Sequence, residues 1–220
     1  MVDVGREVLS QLTIPLSSNF TSALGITTRT NTSLSAARIQ ATGELYVGVL
    51  RDLDTLLATD GAFLLGSWLA SARKLGGDAT DCTDTVLGDR LRRCDDFMEW
   101  NARVQLTTWH PVDSPTNPTP SENTPWPGAI NDYARKQWAG LVGDYYAARV
   151  EQYLEQGLAD ANRKTRFNTS EVTQREARLA FDFQTNFGNV GQTQPSGDPV
   201  AVSSTLRSKY SSYFASCASQ

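Results

Sequence analysis

Apolar residues recur along this chain at the three- and four-residue spacings of helix faces, which predicts helix almost throughout. Between Ser33 and Thr59, Leu45, Val49, Leu53 and Leu56 lie four, four and three positions apart, with Tyr46, Leu50 and Leu57 beside them. Glu44, Arg51, Asp52 and Asp54 help fill the opposite face, so the segment reads as one amphipathic helix. Thr59-Asp60-Gly61 interrupts the pattern. A second helix is predicted over 62–75, buried through Phe63, Leu64, Trp68 and Leu75, and Gly76-Gly77 ends it because glycine accepts a left-handed C-terminal residue. A third long helix is expected from Asp89 to Thr108, with Leu91, Cys94, Phe97, Met98, Ala102 and Gln105 on or near one side.

Six of the nine prolines fall between Pro111 and Pro127, mixed with Ser, Thr, Asn and Asp. That density stops a helix and offers little to a core, so 111–127 is expected to be a proline-rich surface loop. Helix resumes near Gly128 and extends beyond Leu158, with an aromatic-rich stripe of Ile130, Ala134, Trp138, Leu141, Tyr145, Val150, Tyr153 and Leu154. Two more helices are predicted, about Glu171–Asn186 and Val200–Phe214, joined by a Gly- and Pro-containing linker at 188–199. No segment alternates as a strand would and no repeat period appears. The expected fold is all-α, an irregular bundle of about six to seven helices in one domain over 1–220.

The composition fits this picture, with 40% hydrophobic and 20% charged residues and a net charge of −4 that is not clustered. Nothing in it points to nucleic acid as a partner. No apolar run approaches the roughly 20 residues of a membrane span. The opening Met1-Val2-Asp3-Val4-Gly5-Arg6-Glu7 lacks the basic and apolar regions of a signal peptide. Cys82, Cys94 and Cys217 permit at most one internal bridge, so a Cys82–Cys94 pair and free buried thiols are both open. Asn19-Phe20-Thr21, Asn31-Thr32-Ser33 and Asn168-Thr169-Ser170 fit the N-glycosylation pattern, which modestly favours secretion.

Few residues here suggest chemistry of their own. Glycoside hydrolysis with retention uses two carboxyl groups about 5–5.5 Å apart. Asp52, Asp54, Asp95, Asp96, Glu99, Asp144, Glu151 and Glu155 instead sit where solvated helix faces are expected, and none is assigned a catalytic role. His110 is the only histidine, and it has no ligand partner at metal-site spacing. It reads as a surface residue opening the proline loop. No Gly-x-Ser-x-Gly elbow is present, and no metal or cofactor is expected.

Two neighbouring stretches are more distinctive. Asn101-Ala102-Arg103-Val104-Gln105 runs on to Trp109, and Asp132-Tyr133-Ala134-Arg135-Lys136-Gln137-Trp138-Ala139-Gly140-Leu141 is followed by Asp144-Tyr145-Tyr146. In that order they resemble the C-terminal helical region of the lysosomal-type alpha-N-acetylglucosaminidases, retaining glycoside hydrolases that remove terminal alpha-linked N-acetylglucosamine. Phe63-Leu64-Leu65-Gly66-Ser67-Trp68-Leu69 resembles that family's Phe-Leu-Leu-Gly-x-Trp-Leu element, with Gly66 expected to allow close helix approach and Trp68 to fill a core. Val2-Asp3-Val4-Gly5-Arg6-Glu7-Val8-Leu9 resembles a family helix that usually has Thr at the Gly5 position. The chain is therefore expected to start partway through the domain. The motifs cover Val2 to about Tyr153. His110, where the family commonly has Gly, and the long proline insertion depart from the pattern.

The resemblance implies a parent enzyme whose two catalytic glutamates lie in a barrel domain outside this chain, with heparan sulfate-type or related glycans as substrate. The barrel of the same parent chain and the glycan are the implied partners. The implied location is the secretory pathway (lysosome, vacuole or extracellular). In the family, the Trp ending the third helix and the Ile and Tyr of Ile-x-Asp-Tyr line the sugar pocket, mapping here to Trp109, Ile130 and Tyr133. Aromatic faces suit the apolar C–H patches of a pyranose, and a phenol can also hydrogen-bond. The alternative for these three is that all are core or domain-interface residues, and the alternative for the chain is a non-catalytic helical interaction or scaffold module. Arg103 is expected to pair with Asp132 and fix Tyr133.

Overall fold

The computed structural model describes residues 1–26, 34–77, 82, 93–109 and 136–215. Among them it is all-α, with eight helices: α1 (Val2–Ala23), α2 (Ala36–Leu57), α3 (Leu65–Gly76), α4 (Cys94–Leu106), α5 (Ala148–Arg163), α6 (Thr169–Gln184), α7 (Pro199–Lys209) and α8 (Ser211–Ala215). A 3-10 turn at Gly61–Phe63 and a π-turn at Val142–Ala147 complete the regular structure.

Local chemistry sets several of these boundaries. Ser35 caps α2, its hydroxyl accepting from the Arg38 N–H, and Asp60 accepts from the Ala62 N–H to close the 3-10 turn. Asp198 caps α7, with Pro199 in the first turn where no amide is needed. Gly77, at φ +56°, ends α3 as the Gly-Gly pair predicts.

Four details depart from the sequence expectations. Arg93 is extended (φ −105°, ψ 135°) and forms the N-cap of α4, so this helix starts at Cys94 and not Asp89. Lys136 to Trp138 are not helical, and the Ala139 N–H donates to the Phe63 carbonyl at 2.8 Å. Among the described residues, helix in this stretch starts at Leu141; 128–135 lie outside the described residues, as does the proline-rich loop at 111–127. The last helix breaks at Tyr210, whose ring turns into the core. Finally, Trp68 is 43% exposed and Leu75 78% exposed. Seven residues apart, they share a stripe of α3 that flanks the buried Leu65, Gly66 and Leu69.

Contacts divide the chain into two compact units. The first comprises Met1–Leu64, Gln137–Asn168 and Pro195–Gln220. Its core joins Leu9, Leu12 and Leu16 of α1 to Leu50, Leu53 and Leu57 of α2, with Val142, Leu206 and Tyr210. A second cluster gathers Phe20, Leu24 and Ile39 against Tyr153, Leu154 and Phe167. Polar contacts between distant segments fix the register. Arg6 donates to the Gln137 side-chain oxygen at 2.7 Å, and Gln137 donates to the Ser10 hydroxyl. One Asp54 oxygen accepts from the N–H groups of both Gly140 and Gly143, each at 2.8 Å. Burial raises the Asp54 carboxyl above its ordinary range, against the pull of those two amides. Asp52 accepts from Lys209 and from the Tyr210 hydroxyl. Burial and then Asp52 raise that phenol above its usual value.

The second unit comprises Leu65–Lys136 and Thr169–Gln194, and its described parts are α3, α4, α6 and the segment after α6. The Cys82–Cys94 bridge is formed, tying residue 82 to the first turn of α4. A Cβ on Gly66 would run into backbone of Gln192 and Val190, so what approaches this glycine is a loop and not the helix expected. Gly76 lies equally close to the Cys94–Asp95 backbone.

Candidate functional site

The site begins with α4, whose buried side carries charge. Glu99 is fully buried and Arg103, one turn on, nearly so. The Arg103 Nε and Nη2 both donate to one Glu99 oxygen, at 2.9 and 2.7 Å. The other Glu99 oxygen accepts from Arg73 of α3 at 2.6 Å and from the Gly188 N–H at 2.8 Å. Arg73 also binds Asp95 and Asp96, and Arg93 binds Asp95. The Arg93 guanidinium, helped by Arg73, holds the Asp95 carboxyl below the ordinary aspartate range. Sequence reasoning placed Asp95, Asp96 and Glu99 on solvated faces. Asp95 and Glu99 are buried instead, because guanidinium groups from two helices reach them. Asp144 and Glu155 are exposed as expected.

This arrangement argues against acid–base work by these groups. A general acid needs a proton to give and access to substrate. Here the carboxylate oxygens are occupied by guanidinium and amide donors, which makes the cluster a clamp. Arg103 extends the clamp, donating to the carbonyls of Phe183 and Asn189 and lying 5.0 Å above the Phe183 ring. The guanidinium is therefore engaged on this side. Asp132, its expected partner, lies outside the described residues.

The C-terminal end of α4 is fixed from below. The Thr107 hydroxyl donates to the Arg103 carbonyl at 2.9 Å. The buried Gln184 side chain donates to both Thr107 and Thr108 hydroxyls, at 2.9 and 2.8 Å. The Trp109 N–H reaches back five residues to the Val104 carbonyl at 2.8 Å, closing the helix as a Schellman-type bond does. Trp109 itself takes the left-handed conformation, φ +54°. A bulky residue there costs roughly 1–2 kcal/mol. The residue is 47% exposed. Trp109 is thus held on a strained, braced helix end and is about half exposed.

Of the three residues singled out in the sequence, Trp109 is therefore at the end of its helix and about half exposed. Ile130 and Tyr133 lie outside the described residues, as does His110. Sequence reasoning missed Thr107, Thr108 and Gln184 as positioning residues. Gln184 is 76 positions from Thr108 and carries no local signal; only its burial in an otherwise ordinary helix reveals it. Among the described residues, no three His, Cys, Asp or Glu side chains group as metal ligands, and no helix is long and apolar enough to cross a membrane.

Comparisons with known proteins follow the same line. The family model for the alpha-N-acetylglucosaminidase (NAGLU) C-terminal domain matches residues 1–209, further than the motifs themselves run. The human alpha-N-acetylglucosaminidase is 31% identical over 175 residues, covering 80% of this chain and 20% of that protein. A family 89 glycoside hydrolase from Clostridium perfringens, in complex with 2-acetamido-1,2-dideoxynojirmycin, superposes with a TM-score of 0.67 at 18% identity, over 94% of this chain and 20% of that one. A structure of a family 89 enzyme from the same organism, with its substrate GlcNAc-alpha-1,4-galactose, gives 0.65 at 18% identity and the same coverage. These two structures speak for the fold. The chain spans about a fifth of the length of the relatives it matches. Matched along nearly its whole length, the chain belongs to the alpha-N-acetylglucosaminidase C-terminal domain family.

Proposed function

We propose that this chain is the C-terminal domain of a retaining glycoside hydrolase that removes terminal alpha-linked N-acetylglucosamine, and that it forms one wall of the sugar pocket. The catalytic carboxyl groups belong to a barrel domain of the parent enzyme. Trp109 supplies a flat apolar surface for the pyranose, and Ile130 and Tyr133 complete the wall. The observation that carries the reading is the indole at the end of α4. It is half exposed and kept in a strained conformation by buried polar groups. Strain of this kind concentrates at functional positions. The carboxylate clamp around Arg73 and Arg103 supports the absence of catalysis from this chain, since it stiffens α4 and offers no free acid.

The same reading places the enzyme in the secretory pathway, in keeping with the Cys82–Cys94 bridge, which persists in oxidising compartments. Hydrolysis of a nitrophenyl alpha-N-acetylglucosaminide tests the assignment. The full-length gene product turns it over and this chain alone does not. Turnover by the isolated chain would locate the acids here, and an inactive full-length protein would leave a helical interaction module as the correct description.

A further inference from the structure

We infer that Asn168 is an N-glycosylation site of the folded protein and that Asn19, which carries the same motif, is not. This rests on the secretory location proposed above. Asn168, Thr169 and Ser170 are all exposed; residues 165–168 are an irregular turn between α5 and α6, and Thr169 and Ser170 open the first turn of α6. The turn is nevertheless well defined. Lys164 takes the left-handed conformation that ends α5, and the buried Asp160 carboxylate accepts from the Asn168 N–H at 2.8 Å and from the Gln156 side chain at 2.9 Å. The Thr165 hydroxyl also reaches Asp160. A buried carboxylate thus anchors the backbone at Asn168, while the residue itself is exposed.

Asn19 stands in the opposite situation. It is exposed, but within α1. The next residue, Phe20, is a core residue meeting Tyr46 edge-on at 6.4 Å, and the Thr21 hydroxyl donates to the Ser17 and Ser18 carbonyls. Presenting this triplet in a non-helical form means unwinding the end of α1 and pulling Phe20 from its cluster. The Asn31 triplet lies outside the described residues.

The reaction joins the Asn168 amide nitrogen to the anomeric carbon of a lipid-linked oligosaccharide. The C–N bond forms, the C–O bond to the lipid pyrophosphate breaks, and the amide proton leaves to the transferase. A glycan here keeps the α5–α6 turn in solvent in the parent enzyme, so any docking face lies elsewhere.

The test is peptide mass spectrometry of the full-length gene product secreted by a eukaryotic host, deglycosylated by amidase in heavy-oxygen water. Labelled aspartate is expected at position 168 and unmodified asparagine at 19. Asn168→Gln and Ser170→Ala each remove one glycan from the gel shift, whereas Asn19→Gln removes none. Ser170→Ala leaves the asparagine in place, so loss there reports recognition and not misfolding. Unmodified Asn168 in secreted protein bearing the Cys82–Cys94 bridge overturns the site while leaving the location intact. A glycan at Asn19 overturns the selectivity. A chain with neither bridge nor any glycan overturns the location and the inference together.

Discussion

Arg103 grips Glu99 through two nitrogens on one oxygen, both side chains buried and one helical turn apart. The pair is part of a larger junction, since the other Glu99 oxygen ties α3 and the segment after α6 to α4. Removing one member of a buried pair leaves the other charge without compensation, typically at about 3–5 kcal/mol. Glu99→Ala should therefore lower the urea unfolding free energy by about that amount, because both Arg73 and Arg103 lose a partner. Arg103→Met should cost less, since Arg73 and the Gly188 amide still serve Glu99. Equal costs for the two would contradict the central place given to Glu99.

Asp95 makes the junction sensitive to acid. Its folded carboxyl lies below the ordinary aspartate value because of Arg93 and Arg73. The stabilisation is then present above the unfolded value, about 3.9. It is lost as pH falls below roughly 4 toward the lower folded value. Asp95→Asn should flatten the acid limb of a melting-temperature profile below about pH 4 and leave its shape above pH 6 unaltered. A variant profile parallel to wild type throughout would remove Asp95 from the acid response.

If Trp109 faces the sugar as proposed, its replacement should separate stability from function. Trp109→Gly relieves the left-handed strain, worth roughly 1–2 kcal/mol, and loses the buried half of the indole, a comparable amount. Stability should change by less than about 1 kcal/mol. In the full-length enzyme, kcat/KM for an alpha-N-acetylglucosaminide should drop at least about tenfold, the equivalent of roughly 1.4 kcal/mol. Trp109→Phe should retain more activity than Trp109→Gly. Wild-type kinetics in the glycine variant would show that the indole does not touch the sugar.

The Cys82–Cys94 bridge closes a loop with a sequence separation of 12. Chain-entropy reasoning gives a stabilisation of about 3 kcal/mol for a loop of that size. Reduction, or Cys94→Ser, should lower the melting temperature by several degrees, and reductant should have no further effect on the serine variant. A reductant-sensitive Cys94→Ser protein would point to a different pairing.

Much of the helical architecture was legible in the chain itself. The spacing of Leu45, Val49, Leu53 and Leu56 yields α2, and Gly76-Gly77 and the Pro199 region set ends that local backbone chemistry alone decides. Even the π-turn left a trace. The apolar stripe steps by five from Tyr145 to Val150, the extra residue that Val142–Ala147 absorbs. The order of motifs around Trp109 and Lys136–Leu141 identified the family.

What the sequence could not fix was the environment of each polar side chain. Asp95 and Glu99 look like solvated acids by helical spacing, and Trp68 looks like core. Their actual burial depends on partners far along the chain: Arg73 on α3, Gly188 after α6, and the 190–192 backbone packed on Gly66. Helix periodicity is a property of neighbours within four residues, so one strand of sequence determines it. Whether a charge is sheltered, or an indole faces water, is a property of what folds against it, which no window of neighbouring residues contains.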